Sequence, residues 1–151
     1  ERIDEEGQAA MALEGLIDDA TWQAALADDR HPVGMVDGGA IPRVDMRALW
    51  RALLRDLHHG VPRPLIAARF HLAVADACIA MLRHVDVGAD GGARRVALSG
   101  GVWQNRRLFE RVSELLEQAG YTVLSHRLLP PNDGCIAFGQ AAVAACHQLM
   151  R

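Results

Sequence analysis

Lysine is absent from this chain; its 16 basic residues are all arginine. That excludes any mechanism built on a lysine amine. The arginines are scattered along the chain, so the bias reads as the codon usage of a GC-rich genome rather than as chemistry. A basic surplus is also missing: the net charge is −3, with 23% charged residues, which gives no footprint for nucleic acid. Cysteine is sparse. Cys78, Cys135 and Cys146 are odd in number and have no C-x-x-C spacing. A disulfide framework and a zinc knuckle are therefore not expected, and reduced thiols in the cytoplasm are. No apolar run approaches about 18 residues, so no membrane span is expected. The acidic start, Glu1-Arg2-Ile3-Asp4-Glu5-Glu6, is not followed by the apolar core of a signal peptide. Finally, the seven histidines (31, 58, 59, 71, 84, 126 and 147) include no pair four residues apart. A helix carrying an H-x-x-x-H metal site is thus excluded.

What remains is an ordinary globular composition, 50% hydrophobic, and a length of 151 residues that suits one domain with a single sizeable core. Apolar spacing predicts a helix over 6–29, ended by Asp28-Asp29-Arg30-His31-Pro32. Asp37-Gly38-Gly39 between short apolar pieces predicts a hairpin. Asp45 is a candidate N-cap for a helix over 46–59, with Met46, Leu49, Trp50, Leu53, Leu54 and Leu57 on its buried side. A broad apolar stripe marks a helix over 65–85. Beyond a glycine-rich loop at 88–92, the order is strand 95–99, a helix stopped by Gly120, strand 121–125, and a last helix over 133–149. Strand–helix–strand–helix order implies an α/β layer with parallel strands.

Two stretches could carry chemistry. Leu98-Ser99-Gly100-Gly101-Val102-Trp103-Gln104-Asn105 ends a strand in two glycines and feeds a helix. Bare backbone there lets a phosphate or an adenosine approach N–H groups and a helix N-terminus. The same spacing also suits a tight turn without a ligand. It is neither a Walker loop nor a G-x-G-x-x-G fingerprint. The second stretch is Pro130-Pro131-Asn132-Asp133-Gly134-Cys135. Asp133 is either the cap of the last helix or a hard oxygen ligand for a cation. Both fit a strand end that faces the crevice of an open α/β sheet. Cys135 has no local base to activate it and reads as a small buried helix residue. His58 and His59 diverge by about 100° on a helix and read as a solvated helix end. His71 is either a satisfied core histidine or a cleft residue, and Trp50 and Trp103 read as core or cleft packing.

Taken together, Ala97-Leu98-Ser99-Gly100-Gly101-Val102-Trp103-Gln104-Asn105 and, about 25 residues later, Pro130-Pro131-Asn132-Asp133-Gly134 resemble the C-terminal lobe of the hydrogenase-maturation carbamoyltransferases, the HypF family. Glu6-Gly7-Gln8-Ala9-Ala10 resembles that family's EGQAA helix, and Arg69-Phe70-His71 its FH helix. The glycine-rich element alone is shared with O-carbamoyltransferases and with TsaD-type threonylcarbamoyl-transfer enzymes. Trp103-Gln104-Asn105 and the EGQAA helix favour the HypF branch.

The resemblance implies one lobe of an actin/hexokinase/Hsp70-like, Kae1-like fold: a mixed sheet with flanking helices, with residues 1–151 as the C-terminal half of the Kae1-like domain. It implies ATP and carbamoyl-adenylate as ligands, made from carbamoyl phosphate in a YrdC-like domain. It implies transfer of the carbamoyl group to the C-terminal cysteine of a HypE-like acceptor, on the way to the cyanide ligand of [NiFe] hydrogenase. Gly100, Gly101 and Asn105 would contact the nucleotide, with Glu6 and Gly7 along its ribose side. Asp133 would be this lobe's ligand to a divalent metal. The family's H-x-x-x-H helix, its other lobe and its YrdC-like domain have no counterpart here, so the chain alone is expected to be inactive. Two other readings stand beside this one. One is an O-carbamoyl- or threonylcarbamoyl-transfer relative. The other is a non-catalytic module that docks a partner or dimerises through its apolar surface.

Overall fold

The computed structural model describes residues 4–28, 31–36, 42–85 and 94–149. The elements follow in the order α1 (Gln8–Glu14), α2 (Asp19–Ala27), β1 (Gly34–Val36), β2 (Arg43–Asp45), α3 (Arg47–His58), α4 (Arg63–Val85), β3 (Arg95–Leu98), α5 (Arg106–Gln118), β4 (Thr122–Ser125) and α6 (Ile136–Leu149). Single 3-10 turns at Gly101–Gln104 and Asp133–Cys135 precede α5 and α6. The α/β expectation holds. Among the described residues the strands form two two-stranded sheets, β1–β2 antiparallel and β3–β4 parallel. The pairing of Gly34 with Asp45 and Val36 with Arg43 makes the expected hairpin, whose Asp37-Gly38-Gly39 turn lies outside the described residues, as does the loop at 88–92.

The long helix α4 is the hub; α1, α2, α3, α5 and both strands of the hairpin pack against it. Small residues make this possible. Ala67, Ala68, Ala73 and Ala75 are fully buried and let neighbouring helices approach closely. On one side they meet Ile17, Trp22 and Ala25; on another, Leu49 and Leu53 of α3; on a third, Ala75 and Ile79 join Leu98 of β3 and Leu108, Val112 and Leu116 of α5. Each buried leucine or valine contributes about 2 kcal/mol. By length and composition alone α4 could cross a membrane, contrary to the sequence expectation, yet half of that window is buried inside the fold. A hub helix walled by other helices passes the length test because its core faces are apolar all round.

Three expectations change. The helix expected over 6–29 is two helices. Gly15 closes α1, its N–H donating to Met11 O, and the Asp18 carboxylate restarts the chain by accepting the Thr21 N–H at 2.7 Å. Asp45 ends β2, and Met46 rather than Asp45 holds the N-cap position of α3, although the Asp45 side chain still serves the first N–H of that helix. Its carboxylate accepts the Arg47 N–H at 3.0 Å and two guanidinium bonds at 2.9 Å, and these Arg47 hydrogen bonds pull its pKa down to about 2. In α3, Leu49 and Leu53 are buried as expected, but Trp50, Leu54 and Leu57 are more than half exposed. The narrow face that meets α4 takes Leu49, Ala52 and Leu53, leaving a second apolar stripe outside.

Candidate functional site

Strands β3 and β4 run parallel in the register Arg95 with Thr122 to Leu98 with Ser125, so both end at the same edge. In an open α/β layer that edge is where ligands lie. Here it carries the glycine turn after β3 and the proline turn after β4. The two turns are latched together: the Gly100 N–H donates to Pro131 O at 2.7 Å. Beside the latch, Ser99 Oγ and His126 Nε2 are hydrogen-bonded at 3.0 Å and tie the two strand ends. A shallow cleft of about 190 Å³ opens at this edge, lined by Leu98, Trp103, Gln104, Phe109, Ser125, His126 and Pro131.

The latch divides the work of the two glycines. Gly100 has φ 110 and ψ 158, a conformation that L side chains rarely adopt, so glycine is required there by the backbone. Its N–H is given to Pro131 O, so that group shapes the turn. Gly101 opens the 3-10 turn. The first N–H groups of such a turn have no partner within it, and Gly101 and Val102 are both exposed. A Cβ on Gly101 would sit in ordinary van der Waals contact with the Asn132 Cβ, 3.8 Å away, on the side of the proline turn.

Asn105 sits between this turn and α5 as the helix N-cap. Its Oδ1 accepts the Leu108 N–H at 2.9 Å, and its Nδ2 donates to His71 Nε2 at 2.8 Å. The candidate nucleotide contact thus already has a structural role at both ends of its amide. His71, left open between core and cleft, is buried, and its Nδ1 donates to Ala67 O at 2.8 Å. Sequence reasoning did not link it to Asn105, 34 residues away.

Asp133 is exposed, in the 3-10 turn before α6. It is not the cap. Asn132 is: its Oδ1 accepts the Gly134 N–H at 3.1 Å and its backbone O accepts the Cys135 N–H. A Cβ at Gly134 would crowd Asn132 Oδ1 at 3.1 Å, so a side chain there would have to push the capping oxygen aside. Among the described residues no group of three His, Cys, Asp or Glu could hold a metal ion, so Asp133 is not part of a three-ligand site there. Cys135 is half-buried in the same turn. His58 and His59 are exposed at the end of α3, as expected of a solvated helix end. Trp103 lines the cleft, whereas Trp50 lies on the exposed stripe.

Glu6 and Gly7 are exposed at the start of α1, where Gly7 has φ 79. The other end of α1 is the one held to α5: Glu14 Oε1 accepts the Arg107 N–H at 3.1 Å. One helix length, about 10 Å, separates Gly7 from that anchor. Arg107 extends the clamp with hydrogen bonds to Asp19 at 2.5 Å and to Ile17 O, and its guanidinium lies 5.6 Å from the Trp22 ring centre. No sequence signal pointed to this arginine.

A strand-end edge of bare glycine backbone, an amide and an exposed carboxylate invites comparison with known proteins. The family described as carbamoyltransferase, Kae1-like domain, second subdomain, matches residues 1–140. The chain belongs to the HypF carbamoyltransferase family. It is 33% identical over 135 residues to the carbamoyltransferase HypF of Synechocystis sp., covering 89% of this chain and 16% of that protein. It is 35% identical over 142 residues to the HypF of Rhodobacter capsulatus, covering 93% and 16%. A full-length HypF crystallised in a phosphate- and nucleotide-bound form superposes with a TM-score of 0.78 and 31% identity, over 95% of this chain and 18% of that one. The HypF of T. kodakarensis gives 0.67 and 25% identity. The chain therefore spans less than a fifth of the length of these relatives, and its fold is the Kae1-like subdomain expected from the sequence.

Proposed function

We propose that this chain is the nucleotide-facing lobe of a HypF-type carbamoyltransferase. The observation that carries the reading is the latch between Gly100 and Pro131, which holds the turn of the exposed Gly101 and Val102, with Asn105 after it, beside the turn that carries the exposed Asp133. A nucleotide- and phosphate-bound relative with the same fold supports it. In this reading the Gly101 and Val102 N–H groups neutralise phosphate oxygens without any lysine. Asn105 offers a further N–H. Glu6 and Gly7 follow the ribose side, and Asp133 gives one carboxylate to a divalent cation whose other ligands lie outside this chain.

The ligand is carbamoyl-adenylate, formed from ATP and carbamoyl phosphate. The acceptor is the C-terminal cysteine of a HypE-like protein. Its thiolate attacks the carbamoyl carbon, a C–S bond forms, and the C–O bond to AMP breaks. This chain contributes no nucleophile; it holds the leaving group's phosphate. Alone it lacks transfer activity, since the opposing lobe and the YrdC-like domain are needed. The test is AMP binding and carbamoyl transfer in a chain carrying the full length of its relatives. Gly101→Val, which puts a branched side chain between this turn and Asn132, should weaken AMP binding by at least about tenfold, or 1.4 kcal/mol. Asp133→Ala should lower metal content and transfer together. Wild-type behaviour of both variants would refute the assignment.

A further inference from the structure

His71 takes no part in the reading above, yet it is a buried polar side chain, 5% exposed, that reaches the same edge. The chemistry of its two partners fixes its state. Ala67 O can only accept, so Nδ1 carries the ring proton. The Asn105 Nδ2 can only donate, so Nε2 meets it with a lone pair. The Asn105 oxygen is then turned to α5, where the Leu108 N–H needs an acceptor. None of the three bonds can reverse without breaking the next. Rotating the amide would set its NH2 against the Leu108 N–H and leave two lone pairs facing each other at His71. Asn105 is half-buried, and one N–H of its amide remains beyond these bonds.

We propose that His71 is a positioning residue for the nucleotide edge. As the neutral Nδ1–H tautomer it fixes the orientation of the Asn105 amide, so that Asn105 caps α5 and meets the ligand as a hydrogen-bond donor. The ligand atom it selects is an acceptor: a phosphate or ribose oxygen. The ligand half of this inference rests on the nucleotide reading above; the positioning half does not.

The experiment uses wild type, His71→Gln and His71→Leu, in this chain for the tautomer and the exchange rate, and in a chain with the full length of its relatives for the AMP affinity. Three quantities are read: the ring tautomer of His71 by long-range ¹H–¹⁵N correlation, the hydrogen exchange of the Leu108 amide, and the affinity for AMP. The wild type should show Nδ1–H with an unprotonated Nε2. His71→Leu should speed Leu108 exchange and weaken AMP, each by about tenfold. His71→Gln, whose Oε1 can accept from Asn105, should keep both within about threefold of wild type. An Nε2–H tautomer in the wild type overturns the proposal. So does Leu108 exchange that is the same in the Gln and Leu variants. Where Leu108 responds as stated but AMP does not bind the wild type, His71 still positions Asn105 and it is the nucleotide reading that falls. Should His71→Leu not fold, the wild-type tautomer and the His71→Gln exchange rate decide.

Discussion

At the scale of single residues, the edge is a set of short-range bargains between backbone and amide side chains. Asn132 and Asp133 illustrate it. The asparagine carries the cap, and the aspartate beside it is left facing outward. Asn132→Ala should therefore cost about 1 kcal/mol in urea unfolding, while Asp133→Ala should change stability by less than about 0.5 kcal/mol. The reverse order would return Asp133 to a purely structural role. Here the sequence was legible only in part. Pro-Pro-Asn-Asp-Gly announces a turn and a helix start, but either Asn or Asp suits an N-cap, and the geometry of the turn decides between them. Gly100-Gly101 was readable as a turn with bare backbone after a strand; that the Gly100 N–H would be given to Pro131 was not, because the partner lies 31 residues away and follows a different strand.

At the scale of elements, the helices whose apolar residues form one continuous stripe were the most legible. In α5, Leu108, Val112 and Leu116 stand at i, i+4 and i+8, and all three are buried. Helix α3 was misread for an understandable reason: it carries apolar residues on two stripes, and periodicity cannot say which of them has a neighbour. Leu49 and Leu53 are buried against α4, while Trp50 meets α4 only at its rim, its ring centre 6.5 Å from that of Phe70, and Leu54 and Leu57 are more than half exposed. The two can be told apart by truncation. Leu116→Ala should cost about 3 kcal/mol through the lost packing and the cavity left behind, whereas Leu54→Ala should stay within about 0.5 kcal/mol. Comparable costs at both positions would mean that the exposed stripe is covered in solution. The break between α1 and α2 was missed because the apolar spacing runs through it. The signal was the Asp18 cap with its bond to Thr21, a local competitor to helix continuation that periodicity does not register.

At the scale of the whole molecule, the imbalance lies at the C-terminal side. Helix α6 is rich in alanine with Ile136, Phe138 and Val143, and its residues from 136 to 148 are all exposed. Apolar surface of this extent needs a cover, and the relatives are more than five times as long as this chain. Light scattering of the chain by itself should show self-association that Phe138→Glu and Val143→Glu together abolish. A monomeric wild type would remove the need for a cover. The central claim, that the edge after β3 and β4 holds a nucleotide, is tested most directly by backbone amide shifts during AMP titration in a chain with the full length of its relatives. The account predicts saturable shifts at Gly101, Val102 and Asn105, lost in Gly101→Val. Shifts confined to other surfaces, or none at these three amides, would contradict it.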